Sequence, residues 1–221
     1  MASAAPDGRE PDVRIALGSV SERLEGGVDL PPLMQASADA FQMNTPAGRY
    51  RVTDGRLVTV QPVAGASARD LRLYLLGSVM GALAHQRSAL ALHAAVIEAG
   101  GRAIAVAGPS GAGKSTLAAL HALAGGGVLT DDLCVVDTVA TDGPVAHRGL
   151  GRIKLWSDSA ELAGWRPPEA ARISDTVNKF ALPVLCVAAT LPLDRIYVLR
   201  PDEAPSPAFV ACVAWRRPRR S

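Results

Sequence analysis

The clearest chemistry in this chain lies in one run: Gly108, Pro109, Ser110, Gly111, Ala112, Gly113, Lys114, Ser115 and Thr116. It fits the phosphate-loop (Walker A) pattern at Gly108, Gly113, Lys114 and Ser115. The glycines let backbone N–H groups close around phosphate oxygens. The lysine reaches the β- and γ-phosphates, and the serine hydroxyl is a ligand for Mg²⁺. In a chain with 21 glycines the pattern needs context. Ala103 to Ala107 is a short apolar run with the length of a buried strand, and Ser115 to Ala124 reads as an Ala- and Leu-rich helix ended by Gly125-Gly126-Gly127. Strand, loop and helix in that order separate a phosphate site from a glycine-rich turn before an ordinary helix.

Other chemistry-bearing residues fall close by. Val128-Leu129-Thr130 reads as a strand ending in Asp131-Asp132. One carboxylate of such a pair can hold metal while the other takes a proton from an attacking hydroxyl, and each raises the other's pKa. Aspartate pairs are also common in plain turns. Leu92 to Ala99 reads as a strand, and Gly100-Gly101 as the turn of a hairpin. If Ala99 pairs with Arg102, His93 comes opposite Gly108, at the phosphate end. There it is either a structural histidine or a phosphate or acid–base group.

LHAAVIEAGGRAIAVAGPSGAGKSTL, then TDD, then RGLG at Arg148 to Gly151, resembles the catalytic domain of HPr kinase/phosphorylase. That family phosphorylates a serine on a small carrier protein and is related in fold to ATP-dependent phosphoenolpyruvate carboxykinase. The likeness runs from about Leu92 to Arg152. From Ile153 to Leu199 it is weaker, and IKLWSDSAELAGW and PLDRIYVL are similar to stand-alone kinase homologues, some of which accompany lasso-peptide clusters. The resemblance implies an α/β phosphate-loop kinase with a mixed sheet and flanking helices, using ATP and Mg²⁺. It implies catalytic roles for His93, Lys114 and Asp131, and metal binding by Ser115 with Asp132. Arg148, Arg152 and Lys179 are the basic side chains it offers for clamping phosphate, with Lys154 beside them. Ala146 stands where the family has a metal-binding glutamate, so Asp132 or water fills that gap, or metal binds less well. The family's regulatory N-terminal domain is not matched, and the C-terminal end reads as shorter than in the stand-alone relatives.

The expected reaction is transfer of the γ-phosphate of ATP to a serine hydroxyl of a peptide or small protein. A metabolite kinase or carboxykinase-like phosphotransferase stays open, as does a nucleotide-binding regulator with little catalysis. No LSGGQ-like signature points to an ABC-type ATPase. Composition narrows the partners. Net charge is +2, and Arg216, Arg217, Arg219 and Arg220 exceed it, so the remainder lacks the broad basic face that nucleic acid requires. The longest nearly apolar stretch, Leu73 to Ala84, is too short for a bilayer, and no signal peptide is apparent. Cys134, Cys186 and Cys212 form no C-x-x-C pair and suit reduced thiols in a cytoplasmic protein. A homo-oligomer stays open.

The remaining elements must position these groups. A length of 221 residues suits one sizeable core with a small subdomain. Residues 1–12 read as disordered and 13–90 as a β ribbon and helix packed on the kinase core. Residues 91–200 read as that core and 201–221 as a Pro/Arg-rich tail. Val13 to Leu30 holds apolar residues for one strand, broken by Pro31-Pro32. Asp54-Gly55 predicts a two-residue hairpin turn between Tyr50-Arg51-Val52 and Leu57 to Val60. Ser67 and Asp70 form a capping box ahead of Leu71, Leu75, Val79 and Leu83, a helical spacing that runs to about Arg87. Gly77 and Gly81 mark close packing of that helix on a sheet.

Overall fold

A computed structural model describes residues 11–200 of the chain. The readings for the N-terminal residues up to 10, for the tail 201–221 and for Cys212 lie outside the described residues. The chain divides into two compact units, Met1–Ser88 with Ser174–Thr176, and Ala89–Ile173 with Val177–Ser221.

The first unit is a full sheet, not a ribbon. It holds β1 (Arg14–Leu17), β2 (Val28–Leu30), β3 (Met34–Ala36), β4 (Ala40–Asn44), β5 (Gly48–Thr53) and β6 (Leu57–Pro62), ordered β1-β6-β5-β4-β3-β2. Val13 to Leu30 thus supplies two edge strands where one was expected, and every residue of both is exposed. The hairpin at Asp54-Gly55 has a three-residue loop, because Thr53 pairs with Leu57 and leaves Arg56 in the turn. Asp54 and Gly55 both take positive φ and the Arg56 N–H donates to the Thr53 carbonyl at 3.0 Å, so the tight turn itself has the two expected central residues and Arg56 is the extra one. A helical stretch follows as α1 (Ala68–Tyr74), a π-helical segment Leu75–Val79 and α2 (Met80–Gln86). Its Val79 and Leu83 pack on Tyr50, Val52, Val58 and Val60, the inward positions of β5 and β6.

The second unit contains β7 (Leu90–Leu92), β8 (Ala94–Ala99), β9 (Arg102–Ala107), α3 (Lys114–Leu123), β10 (Val128–Thr130), β11 (Cys134–Asp137), β12 (Val145–His147), β13 (Arg152–Trp156), α4 (Ser157–Leu162), β14 (Lys179–Pro183) and β15 (Thr190–Val198). Seven of the strands form a mixed sheet ordered β10-β8-β9-β15-β12-β11-β7, in which only β15 and β9 run parallel among the pairings of described residues. β13 and β14 pair separately. The fold of this unit is therefore mixed α/β. Leu92 to Ala99 is not one strand. It breaks at His93, with β7 and β8 far apart in the sheet order although one residue separates them in the chain. The sheet must curl to allow that. Its inner side gathers Ala94, Val96, Ala105, Leu129, Val136 and Ala146, and Ala95, Ala118, Ala119, Ile153, Leu155 and Leu182 form a second cluster where α3 and the β13–β14 pair cover it. Among the described residues, no helix is long and apolar enough to cross a membrane.

Candidate functional site

The phosphate-loop sequence lies between β9 and α3, as its pattern requires. Gly108 has φ 143, and a Cβ there would sit 2.7 Å from the Leu199 carbonyl oxygen. Any side chain would push the loop off the end of β15. Gly111 and Gly113 have φ 84 and 92 and face open space where a side chain would stand. That is a cradle a Cβ would fill, of the shape a phosphate needs. Lys114 is buried, and its Nζ donates to the carbonyl oxygens of Gly108 and Pro109, each at 2.8 Å. The ammonium is thus held under the loop at the N-terminus of α3, where the helix itself favours an anion.

The paired aspartates follow β10 directly, and they differ. Asp131 is buried. Its Oδ1 accepts from Ser115 Oγ at 2.9 Å and its Oδ2 from the Lys154 N–H at 2.8 Å. Burial raises its pKa above the usual carboxylate value, and the charge of Asp132 adds to this, while the two hydrogen bonds oppose it. Asp132, with φ 76, faces the open cleft. Its Oδ2 receives Lys154 Nζ at 2.6 Å. The hydroxyl expected to share a metal with Asp132 therefore meets Asp131 instead. A hard cation prefers such an oxygen pair, hydroxyl and carboxylate, so Ser115 and Asp131 fit Mg²⁺.

His93 lies where the hairpin register predicted. Ala94 pairs with Ala107, which brings His93 opposite Gly108. Its Nδ1 is 2.8 Å from the Asp132 carbonyl oxygen. A carbonyl only accepts, so Nδ1 is the donor of that bond. The chain break at His93, not a continuous strand, is what turns the imidazole into the cleft.

The strand pair β13–β14 closes the opposite side. Ile153 and Leu155 point into the core, so by strand alternation Lys154 and Trp156 point the other way. Trp156 pairs with Lys179, whose ammonium lies 4.4 Å from the indole centroid. Lys179 belongs to β14. Burial pushes its pKa down from the ordinary lysine value, and the nearby Lys154 and Lys114 charges push the same way against the two aspartates. His93, Ser110, Lys114, Ser115, Asp132, Lys154, Trp156, Ser159 and Lys179 all line one cleft of about 90 Å³. That is room for about three waters, the scale of a phosphate end and not of a whole nucleotide.

The other predicted clamps lie elsewhere. Neither Arg148 nor Arg152 lines that cleft. Gly149, next to Arg148, packs so closely on Thr130 that a Cβ would collide with its Oγ1, which keeps the RGLG turn against the strand bearing Asp131. Ala146 is fully buried among Leu129, Cys134 and Val136, where no ligand would reach the cleft. Trp156 and Ser159 were not singled out from sequence. The alternation Ile153-Lys154-Leu155-Trp156 is the signal that could have found the tryptophan, since it sets Lys154 and Trp156 on one face.

No protein-family model matches the chain, and no curated protein matches it. Among solved structures it is similar to the HPr(Ser) kinase/phosphatase from Coxiella burnetii, at 16% identity over 53% of this chain and 70% of that one. The TM-score is 0.31, too low to establish a shared fold.

Proposed function

We propose that this chain is an ATP-dependent phosphotransferase of the HPr kinase-like type, moving the γ-phosphate of ATP to a serine hydroxyl of a peptide or small protein. One observation carries the reading: the phosphate-loop residues, Asp132 and three lysines line a single cleft, and Asp131 is bonded to Ser115 of that lining. Gly108 to Thr116 cradle the phosphates, and Lys114 leaves its carbonyl partners for the β/γ-phosphate oxygens. Ser115 and Asp131 would hold Mg²⁺, which when bound would neutralise phosphate charge. The acceptor oxygen forms its bond to γ-phosphorus as the bond to the bridging oxygen of ADP breaks. Its proton passes to a carboxylate. The geometry favours Asp132 over Asp131 for that step, because Asp132 faces the cleft with Oδ1 left for the proton while Asp131 is tied on both oxygens. Lys179 and Lys154 offset the charge that develops on the transferring group.

The test is incubation with γ-labelled ATP, Mg²⁺ and serine-bearing peptides. Label on a peptide serine in the wild type, absent in Lys114→Ala, supports the reading. Nucleotide binding without label on peptide or small-molecule acceptors would replace it with a regulatory nucleotide site.

A further inference from the structure

In kinases and related enzymes the charge on the transferring phosphoryl group is met by one divalent cation or by two, depending on how many oxygen ligands the cleft supplies. This cleft is poor in them. Asp131 and Ser115 bond to one another and form one ligand pair. Ala146 contributes only a methyl group to the core. Among the described residues, no cluster of three or more His, Cys, Asp or Glu side chains is placed to hold a metal.

The remaining carboxylate, Asp132, already has a cation. Lys154 Nζ lies 2.6 Å from Asp132 Oδ2, with the lysine side chain 9% exposed and the aspartate 26%. A pair that short and that sheltered is a strong charge-assisted bond. The backbone of Lys154 is fixed as well. Its N–H donates to Asp131 Oδ2, and its strand neighbours Ile153 and Leu155 are buried. The ammonium therefore stands at a set place beside both aspartates and in the same cleft as Lys114 and Lys179.

We infer that Lys154 occupies the place of a second divalent cation, so that the cleft takes a single Mg²⁺ with the nucleotide and Lys154 supplies the other fixed positive charge. The inference rests on the proposed kinase reading and says which of this chain's residues completes that site. A lysine in this role neutralises one unit of charge where a metal would neutralise two, and the adjacent Lys179 and Lys114 make up the difference. It also removes a ligand: while Asp132 holds the ammonium, a second metal would have to displace it.

The experiment counts bound Mn²⁺ by electron paramagnetic resonance, with the β,γ-imido analogue of ATP saturating. Analogue binding is followed separately by calorimetry, and folding by circular dichroism. The wild type is expected to bind about one Mn²⁺ per chain. Lys154→Met frees Asp132 beside Asp131 and is expected to bind about two, with transfer down about 10²-fold or more. Lys154→Arg keeps the charge and is expected to stay at about one. A merely structural lysine would leave the count unchanged in Lys154→Met, and that result overturns the inference. Two Mn²⁺ on the wild type with normal analogue binding overturns it alone and leaves the kinase reading standing. Failure of the wild type to bind the analogue overturns both. If Lys154→Met does not fold, Lys154→Gln, which keeps most of the stem, is counted in its place.

Discussion

Two buried aspartates, one in each unit, show how hydrogen-bond partners decide what burial does to a carboxylate. Asp70 and Asp131 are both almost inaccessible, and both bond to serine hydroxyls. Asp70 closes the capping box of α1: Ser67 Oγ accepts from its N–H and donates to its Oδ2, and Oδ1 accepts from Ser174 Oγ at 2.5 Å. The Asp175 N–H and the Thr176 hydroxyl point at the same oxygen. Burial on its own would raise the pKa of Asp70, but these neutral donors together hold it below the usual value. Asp131 has fewer donors and a second carboxylate beside it, and burial wins. One site spends its hydrogen bonds on holding a charge at rest. The other holds its carboxylate with only two donors, one of them the Ser115 hydroxyl at the start of α3. Asp132 beside it faces the cleft, and the first site has no such neighbour to offer a ligand.

The largest expected effect lies on the chemical side. Lys114→Ala should lower phosphoryl transfer by about 10³-fold or more while the fold stays intact, measured as single-turnover transfer from γ-labelled ATP. Next come the two members of the pair. Asp132→Asn should keep nucleotide and Mn²⁺ binding and lose about 10²–10⁴-fold in transfer, whereas Asp131→Asn should weaken Mn²⁺ binding first. A reversed pattern would return the base to Asp131, as the family resemblance implied.

Asp70→Ala should do the opposite: cost about 1–3 kcal/mol of stability in urea unfolding and leave the proposed phosphoryl transfer by the folded protein unchanged. The pH dependence is the subtlest contrast. The lowered pKa of Asp70 means that its stabilisation is present above the unfolded value of 3.8 and fades as pH falls through the folded one. The raised pKa of Asp131 means that ionisation costs stability. That penalty is absent below 3.8 and grows as pH rises through the folded value. Relative to wild type, Asp131→Asn should therefore gain in Tm as pH rises above 3.8, and Asp70→Asn should lose there. Parallel slopes for the two variants would erase the distinction.

What could be read from the sequence was local. The phosphate loop and the Ser67–Asp70 box follow from backbone chemistry within a few residues. The Gly100-Gly101 hairpin does too, and it set the place of His93. The first unit was underestimated because β1 and β2 are short and exposed, with no alternation to announce them. The exchange of partners between Asp131 and Asp132 was invisible, since adjacent residues on a strand end point to opposite sides and sequence does not say which. The pairing of Lys154 with Asp132 joins residues 22 positions apart, through a strand whose register only the fold determines.

β15 is the last strand described, yet it lies in the middle of the seven-stranded sheet, between β9 and β12. Leu199, just beyond it, donates its N–H to Ala107 and offers the carbonyl against which Gly108 rests. On the ribosome, the glycine-rich loop that starts at Gly108 emerges more than eighty residues before the strand that braces it, by the numbering of Gly108 and Leu199. A nascent chain halted before Thr190 would carry every residue of the phosphate loop and still lack its seat. Protection of that loop from protease by nucleotide should thus appear only when β15 has cleared the exit tunnel.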